Sequence, residues 1–118
     1  MLKIVFFKKN GVYFGFKETG HAGFDDEGHD IVCAAVSAMT MLVVNAIEVS
    51  YGSEVDYNII NESADIEVYA YGALPETGLP EEKQFAIAGI MYAYFVQLVD
   101  LIEDYGDYIS IEEREITE

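Results

Sequence analysis

Residues 20–33, GHAGFDDEGHDIVC, hold the only cysteine of the chain and both of its histidines. Asp30 stands just before the apolar run IVCAAVSAMTMLVVNAI, at the position of a helix N-cap. On that reading Cys33 falls in the first helical turn. Backbone N–H groups there lack helical partners, and the helix dipole adds partial positive charge. Both favour the thiolate, which is the nucleophilic form. His21 lies just after a predicted strand. If the loop folds back over the helix start, its imidazole can take the thiol proton and later return one to a leaving amine. The amide of Cys33 can hold an oxyanion. These are the minimum parts of a cysteine hydrolase.

Plainer readings exist for each residue. A lone cysteine in an apolar helix is commonly a small buried hydrophobe. Asp30 as a cap brings negative charge near the sulfur and opposes ionisation, unless its second oxygen orients His21. Ser37 lies one turn after Cys33 on the same helix face. It serves either as a small packed residue or as a donor to the carbonyl one turn back. His29 competes with His21 as base but sits among acids at the tip of the loop. His21, Asp25, Asp26, His29 and Cys33 also offer metal-ligand atoms, yet their spacing lacks the two close pairs of a structural zinc site. No metal and no cofactor is expected.

The elements around this stretch are legible. LKIVFFK (2–8) and VYFGFKE (12–18) flank Lys9-Asn10-Gly11, a hairpin turn signal. Strand alternation puts Val12, Phe14 and Phe16 on one face and Tyr13, Gly15 and Lys17 on the other. A helix follows from Ile31 to about Val49, apolar over most of its circumference and so expected to be buried on more than one side. Tyr51-Gly52 ends it. EVDYNIIN (54–61) and ADIEVYAYG (64–72) read as strands. Pro80, Glu81 and Glu82 suit the start of a second helix. That helix runs from Lys83 to about Asp104, with Phe85, Ala88, Tyr92, Phe95, Val99 and Ile102 as its core stripe and Gly106 at its end. DYISIEERE (107–115) is the last strand. The order β-β-α-β-β-α-β predicts an α+β fold, an antiparallel or mixed β-sheet carrying two α-helices, in one domain over 1–118.

Composition narrows the function classes. Against 22 acids stand 6 basic residues, a formal charge of −16. Direct nucleic-acid binding needs a basic footprint and is not expected, nor is an anionic membrane surface. A basic protein or peptide would be steered here. One cysteine cannot form an internal disulfide, which points to a reducing, cytoplasmic setting. MLKIVFFKKNG shows no signal-peptide pattern. Residues 31–47 approach the length of a membrane span but contain Ser37, Thr40 and Asn45, so a packed helix is the expectation.

The stretch GHAGFDDEGHDIVCAAVSAM, residues 20–39, resembles the signature of the ribosomal-processing cysteine proteases, the Prp family. Gly20-His21-Ala22 is followed by a short glycine-containing loop, then Asp30-Ile31-Val32-Cys33-Ala34-Ala35 and Ser37. The resemblance implies a small homodimeric cysteine endopeptidase. It would remove the short N-terminal extension of the large-subunit ribosomal protein twenty-seven, cutting after paired aromatic residues. It implies Cys33 as nucleophile, His21 as base, Asp30 and Ser37 as supporting residues, and a mobile loop bearing Gly20, Gly23 and Gly28. The alternative from another class is a non-catalytic acidic module that binds a basic ribosomal protein.

Overall fold

A computed structural model describes residues 1–20, 27–60 and 65–117, with only the backbone for 27–30 and for 59–60. Strands β1 (Leu2–Lys9) and β2 (Val12–Thr19) form the first hairpin. Lys9 pairs with Val12, leaving a two-residue turn at Asn10 and Gly11 with φ of 51° and 78°. This is the left-handed pair that an Asn-Gly hairpin requires. Helix α1 (Glu27–Asn45) continues as one π-helical stretch over Ala46–Ser50. Strands β3 (Asp56–Ile60) and β4 (Asp65–Tyr69) come next, then helix α2 (Glu81–Tyr105) and strand β5 (Ile109–Glu115). The sheet order is β3-β4-β2-β1-β5. Only the β1–β5 pairing is parallel, so the sheet is mixed and the fold α+β, as expected.

Both helices cover one face of the sheet. Leu2, Ile4, Phe6 and Phe16 meet Val32, Val36, Val44, Ile87, Met91 and Leu98 in a continuous core. Phe6 is the hub, with ring contacts to Phe16, Tyr94 and Phe95 at 5.3–5.7 Å. Tilted and edge-on contacts of this kind add to the burial of the rings themselves.

Four expectations are corrected. Phe7 pairs with Gly15 but Lys8 pairs with Tyr13, so Phe14 is an inserted residue in β2. This β-bulge breaks the strict alternation. Tyr13 consequently turns to the helix face, 5.0 Å from Phe95. The core stripe of α2 is Ile87, Met91, Tyr94 and Leu98, while Phe85 is 67% exposed and Tyr92 and Val99 are also exposed. Among the described side chains, α1 and its π-helical continuation are buried along one side only, since Ile31, Met41, Leu42 and Val49 are exposed. The last concerns its start: α1 begins at Glu27 rather than after Asp30, which moves the cysteine relative to the helix terminus. An acid in the first turn suits the helix dipole, and nothing in Glu27–Asp30 forbids helix. Two boundaries hold as read. Gly52, at φ 62°, follows the end of the first helical segment, and Pro80 precedes Glu81 and Glu82 in the first turn of α2.

Candidate active site

Cys33 lies on α1, partly buried, packed against the core and not in a disulfide. Counting from Glu27 it sits in the second turn, not the first. Its N–H therefore belongs to the i→i−4 ladder and is not an orphan donor. The dipole also fades within the first turn. The expectations that Cys33 is activated by the helix terminus and that its own amide holds an oxyanion are corrected on this ground. Asp30 is not the N-cap; its backbone lies within α1. Ser37 is on the same helix, partly buried, one turn beyond Cys33. Gly28 also belongs to the first turn of α1. His21 and Gly23 lie outside the described residues, as do Asp25, Asp26 and the side chains of His29 and Asp30. Among the described residues no group of three or more metal-ligating side chains comes together.

The elements fix where these residues can meet. Thr40 of α1 contacts Glu18 of β2. Further along, Ser53 donates its N–H to the carbonyl of Ile47. A Cβ on Gly72, just past β4, would meet the Ser53 hydroxyl at 2.9 Å. Because Tyr69 of β4 pairs with Gly15, α1 runs antiparallel to β2. Going back from Thr40, Cys33 lies about 10 Å towards the end of β2, at 1.5 Å per residue. Gly20 closes that end at φ 96°, so tight that a Cβ would meet the Met1 carbonyl oxygen at 2.4 Å. Only glycine tolerates both the angle and the approach. The end of β2 at Gly20 thus lies at the same end of the molecule as Cys33.

Sequence reading missed one polar cluster behind this end. Glu18 is 0% exposed. Thr40 Oγ1 lies 3.0 and 2.9 Å from its two carboxylate oxygens, and the Tyr94 hydroxyl donates to Oε2 at 2.6 Å. Each hydroxyl carries one proton, and the carboxylate accepts both. Burial first, then the Glu18 charge, pushes the Tyr94 phenol far above its ordinary pKa. A signal was present. Glu18 continues the Phe16 face of β2, so a charged residue stood in register with the core.

Both helices are long and apolar enough to cross a membrane. In the fold each lays one side on the sheet through the buried residues named above.

Comparison with known proteins places the chain. The model of the family described as cysteine protease Prp matches residues 1–110. The ribosomal processing cysteine protease Prp of Bacillus subtilis is 34% identical over 96 residues, 81% of each chain. A crystal structure from Streptococcus mutans superposes with a TM-score of 0.81 at 23% identity, covering 98% of this chain and 96% of that one. The ribosomal processing protease Prp of S. aureus, in complex with a substrate peptide, gives 0.80 at 22% identity, covering 97% and 100%.

Proposed function

The chain belongs to the cysteine protease Prp family, and from that premise we propose that Cys33 is its nucleophile and His21 its general base. The proposed substrate is the N-terminal extension of the large-subunit ribosomal protein twenty-seven, cut after a pair of aromatic residues in the cytoplasm. The thiolate of Cys33 attacks the scissile carbonyl carbon. His21 takes the thiol proton and gives it to the leaving amine, leaving a thioester. Water then attacks the thioester, with His21 as base, and releases the acid product and the thiol. No cofactor takes part.

The observation that supports this reading most is the placement of Cys33, half-buried at the end of the molecule where β2 ends, just before Gly20. Since Cys33 lies past the first helical turn, thiol activation falls mainly on the base. Asp30 and Ser37 are proposed to support the pair, and Gly23 to let the loop close over peptide. The −16 charge favours encounter with a basic ribosomal protein.

A homodimer is part of the same reading. The groove between α1 and α2, lined by Met39, Leu42, Val43, Ala46, Ile90 and Ala93, is the proposed contact with a second copy.

The test is incubation with a peptide bearing the extension, followed by mass measurement. Cys33→Ala and His21→Ala are each expected to abolish cleavage while leaving the fold intact. Wild-type-like cleavage by Cys33→Ala would sink the mechanism. Binding without cleavage by the wild-type protein would sink the substrate.

A further inference from the structure

We propose that Glu18, Thr40 and Tyr94 form a buried positioning lock that sets the spacing between the end of β2 and helix α1. The inference rests on the assignment of Cys33 and His21 given above. Three elements meet at one carboxylate. Glu18 comes from β2, two residues before Gly20, Thr40 from α1, two turns after Cys33, and Tyr94 from the middle of α2. The carboxylate takes the Thr40 hydroxyl at 2.9–3.0 Å and the Tyr94 hydroxyl at 2.6 Å, and the two hydroxyls lie 2.9 Å apart. The Tyr94 oxygen is also 3.5 Å from the Val36 carbonyl, one turn nearer Cys33. All three residues are at most 4% exposed.

The surroundings give the cluster its meaning. Its neighbours among the described residues include Ile4 and Ile66 across the strand pairings, and the rings of Phe6 and Phe16 against Tyr94. An apolar trio would hold a core of this kind together equally well, because buried charged networks rarely add net stability over packed hydrophobes. What directional hydrogen bonds add is a fixed geometry. Apolar surfaces slide by fractions of an ångström at little cost, whereas a carboxylate with two short donors does not. The strand that delivers the base and the helix that carries the thiol are both tied to it. Glu18 is thus a positioning residue acting through the end of β2 and the turn of α1, without touching substrate.

The experiment replaces the lock by hydrocarbon. In the triple variant Glu18→Leu/Thr40→Val/Tyr94→Phe, thermal stability is expected to match or exceed that of the wild-type protein. Peptide cleavage should nevertheless lose about ten- to a hundredfold in kcat, with KM changed by no more than about twofold. Alkylation of Cys33 by iodoacetamide should lose the low-pH reactivity of a paired thiolate and follow an ordinary thiol. Among the single variants, Thr40→Ser keeps the donor and should keep activity, whereas Thr40→Val and Tyr94→Phe should each lower kcat. A folded triple variant with wild-type kcat and alkylation profile would overturn the lock. If that variant does not fold, undiminished kcat in Tyr94→Phe and Thr40→Val does the same. An ordinary thiol profile in the wild-type protein itself would overturn the catalytic pair, and the lock with it.

Discussion

Tyr94 shows how one side chain connects packing to solution behaviour. Its phenol is buried, donates to Glu18, and is held far above its ordinary pKa by burial and by that carboxylate. In the unfolded chain the phenol titrates near its free value of about 10. Above that pH the folded state therefore binds the extra proton, and stability falls as pH rises. Below it both states are neutral, and the contribution is fully present. The expected loss is about 1.4 kcal/mol per pH unit above 10 from this one group. Tyr94→Phe should be less stable at pH 7 by about 1 kcal/mol yet lose less on going from pH 9.5 to 11. Urea unfolding at both pH values checks this; parallel losses in the two proteins would refute it. The residue scale also shows what a sequence displays and what it hides. Cys33 and His21 stand out because the chain puts all its thiol and imidazole chemistry into one stretch. The Glu18 cluster stayed hidden because its three members are far apart in sequence and meet only through the fold.

At the scale of elements, the hairpin turn and the start of α2 were legible, whereas faces were not. Asn10-Gly11 and Pro80-Glu81-Glu82 act locally, so their structural consequence can be read from neighbours alone. The helices gave no such help. From Phe85 to Val99 α2 carries no charged side chain, and α1 carries none from Ile31 to Asn45. An apolar residue then occupies nearly every face, and the 3.6-residue period cannot choose the buried one. The Phe14 bulge is invisible for a related reason: both neighbours of the inserted residue are apolar or aromatic. The start of α1 at Glu27 was missed because Asp30 satisfies the cap rule without being a cap. The observed facing makes a direct prediction. Met91 is fully buried and Phe85 is 67% exposed. Met91→Ala should cost about 2–5 kcal/mol through lost burial and a residual cavity. Phe85→Ala should stay within about 0.5 kcal/mol, as surface substitutions do. Denaturant midpoints at constant slope measure both, and the reverse ranking would mean that α2 is rotated on the sheet.

At the scale of the whole molecule, charge and hydrophobicity are segregated. The acids lie elsewhere than on the central stretches of α1 and α2, whose outer positions include Leu42 at 67% exposed and Val96 at 39%. A chain of −16 has ample charge to cover those positions, yet leaves them apolar. Isolated exposed apolar residues are ordinary, but two adjacent helices whose central stretches carry no charge, with a groove between them, are characteristic of an interface. A second copy suits it better than a basic partner would, because a basic protein is drawn to acids and this groove has none. Pairing through the groove would bury the apolar helices and leave the acidic surface free to attract substrate. Leu42→Glu with Ala93→Glu places two charges in the groove of each copy, four across the contact. Sedimentation or light scattering is expected to report a dimer for the wild-type protein and a monomer for this double variant, with the circular dichroism of the fold retained. A wild-type protein that stays monomeric at high concentration would refute the dimer, and an undissociated double variant would move the contact elsewhere.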